Sequence, residues 1–228
     1  PRVRLPRRAV LPIAYGAEAW ARLTGREPLA TVTGVKLARK RMFFTSDKAR
    51  AAYRTRLRYV VARWSHCTNL VAWEFLNESE GWKGFFENRE TVGRWHTAMA
   101  RHLKDLDPYD HPVTTSCWTT GGHRQLWGAD GIDFLNTHHY SNTKTDMARR
   151  TAEIARMVAD RFPGRPNLFS EMGIHYKFRP GFGDDEDPAG LHLHKQHWAG
   201  LCEGLAGGPA NWWHRGYRPS RSRPSRAR

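Results

Sequence analysis

Two glutamates follow apolar runs, and polar residues suited to proton or hydroxyl chemistry lie close to both positions. Asn77 and Glu78 follow the run at 70–76, and Thr115 and Ser116 close the run at 112–117. His138, His139 and Tyr140 close the run at 132–140, and Glu171 follows the run at 166–170. A pair of carboxyl groups can flank a glycosidic bond, one giving and then taking a proton while the other attacks carbon. The bland reading is that a strand-end glutamate caps a helix or meets an arginine, and arginines are plentiful here. Position alone leaves both open.

The elements that must hold these residues alternate along the chain. Ser46 and Asp47 cap a helix predicted over 48–66, with Ala52, Leu57, Val60, Val61 and Trp64 on its buried side. A strand over 70–76 follows, with Trp73 in the core. Next comes a helix over 91–106 carrying Trp95, Met99 and Leu103 at helical spacing. A strand over 112–117 leads through a glycine-containing loop or short helix at 119–131 to a strand over 132–140. A helix over 145–162 presents Ile154, Met157, Val158 and Phe162. A strand over 166–170, a helix over 191–205 and a short strand over 210–213 complete the series, and 9–15 is an isolated strand candidate before it. Alternating helices and short strands predict βα units around a parallel sheet. The fold class is α/β, and the spacing suits a (β/α)8 barrel, whose chemistry sits at the C-terminal ends of its strands, as well as an open doubly wound sheet. No GxGxxG or GxxxxGK[ST] loop follows any strand, which argues against nucleotide-binding readings.

Residues 43–78, FFTSDKARAAYRTRLRYVVARWSHCTNLVAWEFLNE, resemble clan A glycoside hydrolases, most closely the family 5 cellulase and mannanase group. The segments IDFLNTHHYS at 132–141, NLFSEMGI at 167–174 and HWAGLCEGLAGGPANWW at 197–213 are similar to that group's later strands, in the same order. The resemblance implies a TIM barrel in which Glu78 is the general acid/base and Glu171 the nucleophile. It implies that Asn77 holds the sugar 2-hydroxyl, that His138 lines the site, and that Tyr140 touches the nucleophile. A tryptophan lies under the sugar, Trp212 being preferred over Trp213 because the two face opposite sides of a strand. Trp118 is a further candidate for stacking on sugar, as are Trp82, Phe85 and Phe86. The implied activity is retaining hydrolysis of a β-linked glucan or mannan, with a carbohydrate substrate and no cofactor. Family strands 1 and 2 and helix 8 are not evident, so the barrel is expected to be truncated. A catalytically inactive carbohydrate-binding fragment and a β-galactosidase-like relative are the alternatives. The resemblance also suggests an extracellular or periplasmic location, although the first residues carry no signal-peptide pattern.

The net charge of +15 suggests an acidic partner until its distribution is examined. Four basic residues lie in 1–10 and six in 215–228, leaving 27 basic against 22 acidic residues between those segments. The excess is therefore largely terminal and is not arranged on a recognisable nucleic-acid reader, so no nucleic-acid partner is expected. The domain reading is a basic segment at 1–10, a partial barrel at 11–213 and an Arg/Ser/Pro tail at 214–228. No run of 18 apolar residues offers a membrane span. Three cysteines, at 67, 117 and 202, have no CxxC spacing and are expected to be free thiols. His192, His194 and His197 share a predicted helix, but residues two apart face different sides and no third ligand adjoins the other pair. No metal is expected. The glycosylation pattern Asn77-Glu78-Ser79 falls in the expected cleft and is read as accidental.

Overall fold

The computed structural model describes residues 43–118, 122–142, 144–175, 187 and 189–210. The strand expected at 9–15, the segments 1–10 and 214–228, and Trp212 and Trp213 lie outside the described residues. What is described is part of an α/β barrel, with helices between parallel strands. The elements are α1 (Asp47–Trp64), β1 (Trp73–Glu74), α2 (Arg89–Leu106), β2 (Val113–Thr114), β3 (Ser116–Cys117), α3 (Arg124–Trp127), β4 (Leu135–Ser141), α4 (Met147–Arg161), β5 (Asn167–Ile174) and α5 (Leu191–Cys202).

The start of α1 is set by Ser46, whose Oγ accepts from Ala49 N at 3.4 Å while its carbonyl accepts from Arg50 N. Its buried stripe is Tyr53, Leu57 and Val61, four residues apart. The expected stripe is thereby corrected: Ala52 and Trp64 are exposed and Val60 is only half-buried. Tyr53 takes the inner position because its phenol finds a partner there, donating to Phe75 O at 2.8 Å. Helix α2 follows its predicted apolar side closely, burying Val92, Trp95, Met99 and Leu103. In α4, Ile154 and Val158 are buried but Met157 is exposed.

All strand pairings are parallel: β1 with β2, β3 with β4, and β4 with β5. Val113–Cys117 is one extended segment divided by Thr115, so the two small sheets follow one another around the barrel wall. Phe75 N bonds to Thr114 O and Ser116 N to Leu76 O, carrying the pairing across that division. Beyond β5, Ala206 N bonds to Asn167 O, and Ala210 exchanges bonds with Phe169 and Met172. Ala210, the one described residue of the strand expected at 210–213, thus lies beside β5.

Besides the divided strand at 113–117, three further strands differ from their predicted limits. The run at 70–76 supplies only Trp73–Glu74 to the ladder, and Trp73 is half-buried, its indole N–H donating to Asp107 Oδ2 at 2.9 Å. The run at 132–140 starts pairing at Leu135, because Asp133 ends the preceding turn and accepts Val113 N at 2.8 Å. The strand expected to stop at Ser170 continues to Ile174, which places Glu171 inside β5. Pairing opposite β4 there jumps from Thr137↔Phe169 to His138↔Glu171, leaving Ser170 as an extra, bulged residue.

The core under this wall is strongly aromatic. Trp95 packs against Phe43, Phe44, Tyr53 and Phe75, with ring centroids 4.8 to 6.0 Å apart. His96 lies among them, fully buried. No described helix is long and apolar enough to cross a membrane.

Candidate active site

Glu78 follows β1 in the left-handed region, with φ 51° and ψ 63°, a conformation costly for a residue with a side chain. Neighbouring hydroxyls fix this turn. Ser116 Oγ accepts Glu78 N–H at 3.0 Å and lies 3.4 Å from Leu76 O. Thr115 Oγ1 donates to Leu76 O at 3.1 Å and meets Ser79 Oγ at 3.4 Å. Under Thr115, His96 Nε2 stands 3.3 Å from the same hydroxyl, while its Nδ1–H donates to Val92 O at 2.8 Å. Burial lowers the His96 pKa to about 4, so this ring is neutral near pH 7.

The side chains of Glu78, His138, Tyr140 and Glu171 converge from three elements. His138 Nδ1 lies 3.0 Å from Glu78 Oε1 and 3.5 Å from Glu171 Oε2. One carboxylate oxygen from each glutamate and a His138 ring nitrogen all fall within 4.8 Å of one another. On the far side of the ring, His138 Nε2 meets Ser170 Oγ at 2.9 Å. Tyr140 Oη donates to Glu171 Oε2 at 2.7 Å. Burial, that hydrogen bond and the charges of Glu171 and Glu78 push the Tyr140 phenol well above its ordinary pKa, so it stays a donor. The His138 side chain is 1% exposed, against 13% for Glu171 and 25% for Glu78. The carboxyl groups are therefore the more accessible members of the cluster, Glu78 most of all, and the imidazole is held behind them.

Glu78 opens onto a cleft of about 480 Å³ lined also by Phe43, Phe44, Leu76, Asn77 and Trp82. Asn77 is exposed on its rim, its Oδ1 3.5 Å from Ser116 Oγ. Trp118 is also exposed, its ring 3.4 Å from where a Cβ on Gly81 would stand. Of the other aromatics, Phe85 is completely buried and packs on His123, which removes it as a sugar platform, whereas Phe86 is 52% exposed. Four of the seven expected site residues thus meet directly, Asn77 and Trp118 lie on the rim side, and Trp212 is outside the described residues.

Ser116, Ser170 and the Phe43–Phe44 pair are site residues to which the sequence assigns no role. A hydroxyl closing a strand beside Asn-Glu was the available signal for Ser116; no comparable signal marks a bulged serine. Other histidines singled out by the sequence lie away from this cluster. His139 accepts from Arg150 Nε at 3.3 Å, and burial with that positive neighbour lowers its pKa to about 4. The helix histidines do not share one solvated face: His192 is buried against Asp187, His194 is exposed, and His197 bonds to Leu193 O. Cys67, Cys117 and Cys202 are free thiols; burial, reinforced by Glu80, raises the Cys117 pKa well above its ordinary value.

This arrangement can be set beside known proteins. No protein-family model matches the chain. A probable mannan endo-1,4-beta-mannosidase A of Aspergillus oryzae is 28% identical over 160 residues, 59% of this chain and 39% of that protein. A probable mannan endo-1,4-beta-mannosidase A-2 of Aspergillus terreus is 28% identical over 152 residues. The chain thus matches well under half the length of these relatives. A family 5 mannosidase from Rhizomucor miehei superposes with a TM-score of 0.52 at 14% identity, over 85% of this chain and 55% of that one. A GH39 beta-xylosidase from Caulobacter crescentus gives a TM-score of 0.51 at 22% identity, over 72% of this chain and 38% of that one. The described residues form a partial α/β barrel similar to parts of these two structures. The sequence adds a general, low-identity resemblance to mannan-cleaving enzymes.

Proposed function

We propose that this chain belongs to a retaining β-glycoside hydrolase acting on a β-linked polysaccharide, a mannan in preference to a glucan. The observation that carries this reading is the approach of Glu78 and Glu171, from separate elements, to one His138 nitrogen, with Tyr140 bonded to Glu171 and Glu78 lining the adjoining cleft. Retention requires carboxyl groups about 5–5.5 Å apart and inversion about 6.5–9.5 Å; one oxygen from each glutamate lies within 4.8 Å of the other, which is compatible with the shorter separation. The preference for mannan rests on the sequence likeness to the two Aspergillus proteins.

The chemistry then divides into two displacements. Glu171 attacks the anomeric carbon and forms a glycosyl–enzyme ester as the glycosidic C–O bond breaks. Glu78, protonated at that moment, gives its proton to the departing oxygen. In the second step Glu78 takes a proton from water, the resulting hydroxide oxygen bonds to the anomeric carbon, and the Glu171 carboxylate leaves. Tyr140 holds one Glu171 oxygen so that the other faces the sugar. Asn77 on the rim binds the sugar hydroxyls, and Trp118, with Trp212 beyond the described residues, supplies stacking surface.

The test is release of reducing ends from β-mannan and β-glucan by the purified chain, with the first product's anomeric form read by NMR. Glu78→Gln and Glu171→Gln are each expected to lower kcat at least about 100-fold. Undiminished hydrolysis in either variant, or an inverted product, would overturn the assignment.

A further inference from the structure

We propose that the Glu78–His138–Glu171 cluster is also a binding site for a divalent transition-metal ion such as zinc, and that an ion held there excludes catalysis. The second half of this statement rests on the hydrolase reading above; the first half does not.

The donor set is one imidazole nitrogen and two carboxylate oxygens, contributed by β4, β5 and the turn after β1. Mixed N/O sets of this kind suit zinc, and catalytic zinc sites commonly use three protein ligands with an open fourth position. With bonds of about 2.0–2.2 Å, ligand atoms around a tetrahedral ion stand about 3.4 Å apart. Here the edges from His138 Nδ1 to the two carboxylates are 3.0 and 3.5 Å, and all three donor atoms lie within 4.8 Å. The chain needs little movement to close around an ion.

The imidazole is also prepared from behind. Ser170 Oγ holds His138 Nε2 at 2.9 Å, the outer partner that metal-ligating histidines usually have, so an Nε2–H tautomer turns the Nδ1 lone pair toward both carboxylates. The bulge at Ser170 produces this double contact by bringing adjacent β5 residues to the same histidine. Charge points the same way. Among the described residues, the basic group that Glu78 and Glu171 both approach is His138 Nδ1, so two carboxyl groups share one ring nitrogen. Repulsion between them is relieved by a proton during catalysis and would be relieved more fully by a dication. Glu78 opens onto the cleft, which gives an ion a way in and room for water as the remaining ligand. The helix histidines of α5 offer no comparable convergence, His192 being bound to Asp187 and His197 to a carbonyl.

Occupancy would stop hydrolysis for a simple reason. An ion between the two carboxylates draws charge from Glu171 and makes it a poorer nucleophile, and it keeps Glu78 deprotonated, with no proton to give.

The experiment is calorimetric titration of the full chain with zinc chloride, followed by cobalt(II) absorption and by hydrolysis assays with and without zinc. One saturable site is expected, with a cobalt spectrum of four- or five-coordinate character. His138→Ala and Glu171→Gln should each weaken binding at least tenfold, and Ser170→Ala should weaken it about 10-fold or more while leaving the ligands in place. His194→Ala, a change on an exposed helix face, should leave it unaltered. Absence of saturable binding, or unchanged affinity in folded His138→Ala or Ser170→Ala, would overturn the site. If zinc binds as described but no glycan is cleaved under any condition, the hydrolase reading fails and the site stands. If glycan is cleaved equally fast with and without saturating zinc, the site as proposed fails and the hydrolase reading stands.

Discussion

At the residue scale, the two carboxyl groups are controlled from different sides. Glu171 is held through its side chain by Tyr140, whereas Glu78 is held through its backbone, by a serine that accepts its N–H in a left-handed turn. Their substitutions should therefore fail differently. Tyr140→Phe removes one charge-assisted hydrogen bond, worth about 1.5–3 kcal/mol, and should lower kcat about 10- to 100-fold with KM little changed. A kcat within twofold of the parent would exclude that role. Ser116→Ala instead leaves the Glu78 N–H without its acceptor and should cost about 1–3 kcal/mol of stability, with activity falling as the turn relaxes. Ser116→Thr, which keeps the hydroxyl, should recover most of both. Melting temperature and kcat measured on the same preparations separate the two effects. Residue type and place at or near the end of an apolar run mark Glu78, Tyr140 and Glu171 as candidates, but position alone leaves their roles open, and those roles come from the family resemblance. Ser116 had no assigned role because a hydroxyl that acts on a backbone amide looks like any other strand-end serine.

The elements explain why the strand limits were harder to read than the residues. In a regular strand Ser170 and Glu171 would point to opposite faces, and a pattern of alternation allows only one of them at the site. The bulge opposite His138 breaks that alternation and delivers both. Nothing in NLFSEMGI announces it, since the bulge depends on the partner strand. The short β1 has a similar origin: 70–76 is apolar enough to be called a strand, yet only Trp73–Glu74 enters the ladder. The helices were read better because each carries several turns of a repeating pattern, although Tyr53 shows that a polar tip can still hide a core residue. Helix packing sets one sharp constraint. A Cβ on Gly93 of α2 would lie 2.4 Å from Gln125 O in α3, so the two helices touch through bare backbone. Gly93→Ala would gain about 1 kcal/mol in helix propensity but overpack this contact at about 1–3 kcal/mol or more. The net expectation is a lower melting temperature and a displaced α3, seen as faster amide exchange at 124–127. A variant that melts at or above the parent temperature would show that the contact yields freely.

For the molecule as a whole, the +15 charge at first suggests the controlling electrostatics, but the fully buried His96 and the half-buried His139 are expected to shape its response to mild acid, with His123 shifted in the same direction. His96 and His139 have pKa values lowered from 6.5 to about 4, in each case chiefly by burial, with Arg150 adding to the effect at His139. Above pH 6.5 both rings are neutral whether the chain is folded or unfolded, and the full stability is present. As pH falls from 6.5 toward about 4, the unfolded chain binds protons that the folded chain refuses, and stability is lost. Below about 4 the folded rings titrate too and this contribution levels off. Each shift corresponds to at most roughly 3 kcal/mol across that window. Asp107 acts in a lower range. Its burial opposes ionisation, but hydrogen bonds from Trp73, His111 and Tyr109 outweigh it and depress its pKa, so its contribution is lost only as pH falls through that depressed value. The melting temperature should therefore drop steadily between pH 6.5 and 4. His139→Gln keeps an acceptor for Arg150 but cannot take up a proton, so it should flatten that drop. The same slope in parent and variant would show that neutral burial of His139 does not set the acid response.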